Sequence, residues 1–410
     1  MDPLTDCLLP TADAFKYPSP IAIMHPSTLG AYFHVPFCAS TCDFCAFYQE
    51  SPHREQLELY LSGMEREWGS LAIENRVIDT AFWGGGTPGL LSTKDLDRLG
   101  QIFLNGLSQP PLEWTVEMAP STVKKEKVAV LQNLGVNRIS VGAQSFQPHL
   151  LATLGRRQTP KQLFKAVECL REGGVHNLNL DLIIAIPGQT LRDLEADLEA
   201  ALSQEPEHIS TYMLTFEEDT ALYSRWLRGG LQPKSAEQEA NDYSFVQQYL
   251  RAAGFEQYEV SNYARPGFAC QHNVNTWLMG DWLGIGPSAA SQYRGKRWNN
   301  TPHLERWLKG IELNQWAREA EMILSEESLV LDCMIFGLRT RAGIDLSLLQ
   351  KRFPSFDSQQ YQPLWTSFIE EGLLQKTKDE RLSPTDAGLL LADAIALEIM
   401  QWSESHAHKG

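Results

Sequence analysis

From about residue 30 to residue 215 the chain alternates short runs rich in β-branched and aromatic residues with longer stretches of helical apolar periodicity. That alternation predicts parallel strands joined by crossover helices. Six strands are expected, at Ala31–Phe37, Thr80–Trp83, Glu113–Met118, Arg138–Gly142, Leu178–Ile184 and His208–Leu214. In the first intervening helix Leu57, Tyr60, Leu61, Met64 and Trp68 fall at i, i+3, i+4, i+7 and i+11, an apolar stripe that packs on a sheet. Later helices close at Gly135 and at Gly173 and Gly174, where a left-handed cap is wanted. The glycine-rich and polar segments fall just after strands, and in a barrel of βα units that end carries the active site.

Beyond residue 215 the rhythm breaks. Residues 216–320 are richer in aromatics and glycine, and Gln257–Tyr293 reads only as loop and short strand. From residue 321 helices are predicted at Ser325–Leu338, Asp345–Phe353 and Leu364–Glu371, then a turn at Lys378–Arg381 and an amphipathic helix at Thr385–Met400. That order resembles a winged helix. The expected organisation is an N-terminal extension (1–30), a partial (β/α)6 TIM-like barrel (31–215), a barrel-completing and linker region (216–320), a winged-helix-type domain (321–402) and a tail (403–410), in the α/β class.

Charge narrows the partners. The net charge of −16 and the absence of a basic run interleaved with aromatics argue against nucleic acid. Residues 321–410 carry 8 basic and 14 acidic residues, so the winged-helix pattern there reads as a packing or interaction module. Apolar stretches such as Leu180–Pro187 are far shorter than the roughly 20 residues of a membrane span, so membrane contact would be peripheral at most. Met1–Ser27 lacks a basic and then apolar leader, and Met24 is an alternative start to Met1; the chain is expected in the cytoplasm. Of seven cysteines, three crowd into eight residues, which fits a reducing compartment and a metal site better than disulfides. Cys7, Cys169, Cys270 and Cys333 stand apart as isolated thiols.

The crowded three, Cys38, Cys42 and Cys45, lie on one loop directly after the first strand. Thiolates hold iron-sulfur clusters, normally four at a time, so a local set of three would leave one iron open to a small molecule. A structural zinc site with His34 as fourth ligand is the alternative, although its spacing is unusual for zinc. The C-x3-C-x2-C loop together with Trp83-Gly-Gly-Gly-Thr-Pro88 resembles the radical S-adenosylmethionine enzymes. The resemblance implies a [4Fe-4S] cluster on the three cysteines and bound S-adenosylmethionine. Residues 30–400 resemble more narrowly the oxygen-independent coproporphyrinogen III oxidase group and its sister branch, the HemW-type haem chaperones. On that resemblance Tyr32, Phe44, Gly85, Gly86, Thr87, Glu117, Gln144, Arg156 and Asp181 match the cofactor positions.

Three features favour the chaperone branch over the oxidases. Phe47 stands where the oxidases carry a further cysteine, the arm before the first strand is short, and Cys270-Gln-His272-Asn273 with Trp277 resembles the HNxxYW segment linked to haem binding. The branch implies haem as cargo, acceptor haemoproteins as partners and a ferredoxin- or flavodoxin-like electron donor. His272 is then the candidate haem contact. Thr276 replaces the tyrosine of that segment, Ala290 replaces a histidine further on, and Ala185 stands where a glycine is usual. The alternative is an oxidase that decarboxylates porphyrinogen propionates by radical chemistry.

Overall fold

The computed structural model describes residues 29–71 and 77–407. The predicted N-terminal extension up to residue 28, with Cys7 and Met24, lies outside the described residues, as do residues 408–410. Six parallel strands follow one another in space in chain order: β1 (Leu29–Val35), β2 (Ile78–Gly85), β3 (Glu113–Met118), β4 (Arg138–Gln144), β5 (Leu178–Ile184) and β6 (His208–Met213). Each pair is joined by helix, as the alternation of patterns predicts.

Side chains divide these strands by parity. Outward positions pack against the helices in an aromatic layer in which Phe33 stacks on Trp83 at 5.9 Å and Trp114 meets Phe103 at 4.8 Å. The apolar stripe on the first helix joins this layer, with Tyr60, Leu61, Met64 and Trp68 buried. Inward positions are unusually polar: Thr80, Thr115, Glu117, Arg138, Ser140, Asn179, Asp181, His208 and Ser210 face the barrel. Buried polar groups are tolerated only when hydrogen-bonded, and most of these bond to one another.

The irregular stretch after residue 215 turns out to extend the sheet on both sides. The short strands β7 (Glu256–Gln257) and β8 (Asn262–Ala264) add antiparallel beyond β6. On the other side β9 (Asp281–Ile285) lies parallel to β1, followed by β10 (Ala290–Tyr293), β11 (Lys296–Asn300) and β12 (Arg318–Ile323). Glu67 on the first helix fastens this flank, accepting from the Gly286 N–H at 2.7 Å, Asn300 Nδ2 at 2.8 Å and Trp307 Nε1 at 3.2 Å.

Helices Glu326–Gly337, Leu346–Arg352 and Gln362–Glu370 and the hairpin β13 (Leu374–Lys376) and β14 (Leu382–Pro384) build a second core around Met334, Trp365 and Phe368. The predicted single helix Thr385–Met400 is instead two, Asp386–Leu390 and Ala392–Ala407, broken at Leu391. The second carries on through residues 403–407, which the pattern assigned to a tail. Among the described residues no helix is long and apolar enough to cross a membrane.

Candidate cofactor site at the carboxyl-terminal rim

A cavity of about 610 Å³ opens where the strands end. Cys38, Cys42, Phe44, Cys45, Gly85, Gly86, Thr87, Glu117, Gln144, Arg156 and Asp181 all line it, contributed by the loops or ends of five different strands. Two of the residues singled out by sequence are not on its wall. Tyr32 lies inside the barrel, stacked on Phe82 at 6.3 Å with its hydroxyl 3.4 Å from His34 Nδ1. His272 is much farther away.

The cysteine loop is tied down at both ends and in the middle. The Cys38 and Glu50 N–H groups donate to the Glu50 and Pro36 carbonyls, and the Cys45 N–H to Cys42 O at 3.2 Å. Between the second and third cysteines, Asp43 accepts from Arg225 at 2.8 Å, while its backbone bonds Leu154 and Leu222. Gly86 must be glycine: a Cβ there would lie 2.7 Å from Val35 O and 2.8 Å from Phe37 O, backbone that cannot yield cheaply. The Gly86 and Thr87 N–H groups donate to those same two carbonyls, so the glycine-rich loop and the cysteine loop are stitched together.

The three thiols open on one cavity. All three are free and partly exposed. Burial holds the Cys38 and Cys45 thiols above their ordinary pKa, while Arg156 opposes that shift and donates to Cys42 Sγ at 3.3 Å. Ligation by metal removes those protons outright. Among the described residues no three His, Cys, Asp or Glu side chains converge on one ion. His34 cannot complete a zinc site as it stands: it is buried, with Nε2 on Tyr48 O at 3.3 Å and Nδ1 beside Tyr32.

The polar wall fits a ligand bearing hydroxyl and charged groups. Arg156 Nε is buried without a partner, although its NH2 groups reach Cys42 and Gly142 O. Gln144 sits at φ 65 at the end of β4, its turn held by Asp197, which accepts from Ser145 Oγ and the Phe146 N–H, each at 2.7 Å. Phe44 packs against the Leu150, Leu154 and Ile183 cluster and presents an apolar side, and Phe47 stands at the mouth 70% exposed. Sequence reading missed Ser140 and Asn179, which donate to the Asp181 carboxylate at 2.9 and 2.8 Å. Their signal was a polar residue at each inward position of a strand otherwise apolar.

Glu117 lies half-buried beside Asp181, and desolvation first, then that neighbour, push its pKa from 4.5 to about 8, against the Gly85 N–H and Arg138. A raised carboxyl favours the folded protein fully below its ordinary range, and that contribution is lost as pH rises through the folded value. Between pH 4.5 and about 8 the cofactor-free protein should therefore lose stability relative to Glu117→Gln, whose side chain does not titrate. Melting curves of the two proteins across this window check it, and parallel curves would refute it.

The segment of His272 lies at the opposite end of the barrel. His272 Nδ1 is 3.1 Å from Thr80 Oγ1, its ring leans on Phe82, and Glu113 accepts from its N–H at 3.0 Å. Thr80 and Glu113 belong to the amino-terminal ends of β2 and β3, and strands of this length span about 20 Å. Burial pushes the His272 pKa down to about 4, so the imidazole is neutral. Of the three departures noted, Ala185 has a plain cost: it takes φ 60, where glycine is free of strain and other residues lose about 1 kcal/mol.

A parallel βα partial barrel with an unpaired three-cysteine loop and a glycine-rich loop at its carboxyl-terminal rim defines a radical SAM protein. The Radical SAM superfamily profile matches residues 32–201, and that of the HemN C-terminal domain matches residues 324–391. Heme chaperone HemW of Lactococcus lactis is 33% identical over 366 residues, covering 89% of this chain and 95% of the relative. That of Mycobacterium tuberculosis H37Rv is 33% identical over 390 residues, covering 93% and 97%. The chain belongs to the HemW heme chaperone family. Its fold is shared with coproporphyrinogen III oxidase HemN from Escherichia coli at a TM-score of 0.78, 22% identity and coverage of 93% and 92%.

Proposed function

We propose that this protein binds haem and delivers it to acceptor haemoproteins, with a [4Fe-4S] cluster and S-adenosylmethionine as its resident cofactors. What carries the reading is the agreement over nearly the full length with relatives named as heme chaperones, joined to a loop that offers three thiols and no fourth. Cys38, Cys42 and Cys45 would hold the cluster, whose open iron supplies a site for a small molecule and for an electron. Around it the Arg156 guanidinium on the cavity wall offers positive charge to a carboxylate, Asp181 and Glu117 accept from hydroxyl or ammonium groups, and Phe44 excludes water from one side.

An electron donor of the ferredoxin or flavodoxin class suits such a cluster. The six unpaired thiols of the described residues support the cytoplasm as its compartment. His272 serves as an axial ligand only in a state in which the helix Gln271–Trp277 has left Thr80 and Glu113.

Titrating the reconstituted protein with haem is expected to raise a Soret band that saturates at one equivalent. Absence of saturable binding would overturn the proposal. So would steady anaerobic conversion of coproporphyrinogen III, because an oxidase turns over its porphyrinogen and a carrier does not.

A further inference from the structure

The polar interior of the barrel contains a chain of hydrogen bonds that runs from the C-terminal domain side to the cavity. Tyr258 Oη lies 2.9 Å from His208 Nε2, and His208 Nδ1 lies 2.6 Å from Asn179 Oδ1. Asn179 Nδ2 reaches Asp181 Oδ1 and Ser140 Oγ, each at 2.8 Å, and Ser140 Oγ reaches Asp181 Oδ2 at 2.9 Å. In register, Ser140, Asn179 and His208 are direct neighbours across β4, β5 and β6, so pairing of the strands itself aligns them.

The direction of every bond follows from its last member. An ionised carboxylate only accepts, so the amide group of Asn179 that faces Asp181 is its NH2. Its oxygen then faces His208, which must carry its proton on Nδ1 and leave Nε2 as acceptor. Tyr258 therefore donates. Burial keeps His208 neutral, in agreement with one donor and one acceptor on the ring. All the donors point toward Asp181.

The far end is anchored outside the barrel. Tyr258 O accepts from the Arg341 N–H at 3.0 Å, and the Val260 N–H donates to Arg339 O at 3.1 Å. Glu259 pairs with Thr340 in an isolated bridge. The backbone that carries the first donor of the chain is thus held by the segment that follows helix Glu326–Gly337 of the C-terminal domain.

We propose that Tyr258, His208 and Asn179 are positioning residues that fix the Asp181 carboxylate for hydroxyl groups of the bound cofactor, and that the C-terminal domain bears on the cofactor site through them. The inference rests on Asp181 being a cofactor contact, as in the preceding proposal. Removing the Tyr258 hydroxyl frees His208 to exchange tautomers, and the tautomer protonated on Nε2 no longer donates to Asn179 Oδ1; that oxygen then keeps only the Ser210 hydroxyl at 3.2 Å, which loosens the amide that orients the carboxylate.

The test is calorimetric titration of S-adenosylmethionine into the full-length, cluster-reconstituted protein and its variants. Tyr258→Phe is expected to weaken binding about fivefold to tenfold with iron content unchanged, the scale of one net hydrogen bond. His208→Leu, which breaks the chain, should weaken it at least as much. His208→Gln keeps one donor and one acceptor and should restore affinity to within about threefold of the parent. Parent-like affinity in Tyr258→Phe, while Asp181→Asn is weakened, would overturn the relay and leave the cofactor site standing. Equal losses in His208→Gln and His208→Leu would overturn it too, since a space-filling role is blind to bond direction. Parent-like affinity in Asp181→Asn would remove the contact on which the relay depends. Tyr258→Phe deletes a single atom and keeps the ring, so the question stays answerable if His208→Leu fails to fold.

Discussion

Cys45→Ala should purify as a folded protein that takes up no stable cluster: about four irons per chain in the reconstituted parent, and close to none in the variant. The reason is arithmetic of ligands. Three thiolates already leave one iron to a small molecule, and a second uncovered iron leaves the cubane open to water on two corners. The fold should survive because Cys45 is partly exposed on a loop whose backbone bonds, Cys38 N–H to Glu50 O and Asp43 N–H to Leu154 O, do not involve its side chain. The same substitution at Cys169, on the outer helix Pro160–Glu172, should change nothing in iron content. Iron and sulfide analysis after anaerobic reconstitution decides the matter. A Cys45→Ala protein that retains a full cluster would mean that the three cysteines are not its ligands.

Glu67→Ala should produce the largest loss of stability of any single change considered. The carboxylate is buried and satisfies three donors from the flank that completes the sheet: the Gly286 N–H, Asn300 Nδ2 and Trp307 Nε1. Each buried donor left without an acceptor costs about 1–3 kcal/mol, so the sum is about 4 kcal/mol or more. For a unit of roughly 300 residues, whose unfolding entropy is about 0.6 kcal/mol/K, a loss of that size lowers the melting temperature by roughly 6–8 °C. Burial pushes the Glu67 pKa up to about 7, yet those donors favour the charged form, which is why an acid is kept there. Glu67→Gln keeps one oxygen but sets an NH2 group against donors, and should fall between parent and Glu67→Ala. Differential scanning calorimetry reads both, and a shift under about 3 °C for Glu67→Ala would show that the flank is held by packing alone.

The strands of the first 215 residues were legible because each is flanked by a helical period long enough to set its limits. Glu113–Met118 and Leu178–Ile184 end where the pattern ends them. The flank of residues 216–320 was not, because strands of two and three residues such as Glu256–Gln257 and Asn262–Ala264 carry no period, and the pairing of Asp281–Ile285 with Leu29–Phe33 joins segments some 250 residues apart. The single helix expected at Thr385–Met400 failed for a local reason, since Leu391 closes one helix before Ala392 opens the next.

The rim of the cavity was legible through motif spacing, since each motif follows a strand and the barrel brings those ends together. Tyr32 and His272 were harder. Both are inward-facing residues of a polar barrel, and an inward polar residue looks the same in sequence whether it lines a cavity, as Asp181 does, or is enclosed by neighbours, as His272 is at Thr80. Ser140, Asn179 and His208 were passed over because their value lies in being adjacent across three strands, and register is not written in any one of them.

The central claim is that one iron of the cluster is left for an exogenous ligand. Electron paramagnetic resonance of the reduced, anaerobically reconstituted protein, recorded with and without S-adenosylmethionine, addresses it directly. The account predicts a [4Fe-4S]+ signal whose g values shift when the cofactor is added. A signal that the cofactor leaves untouched, or one from a cluster with four protein ligands, would contradict it.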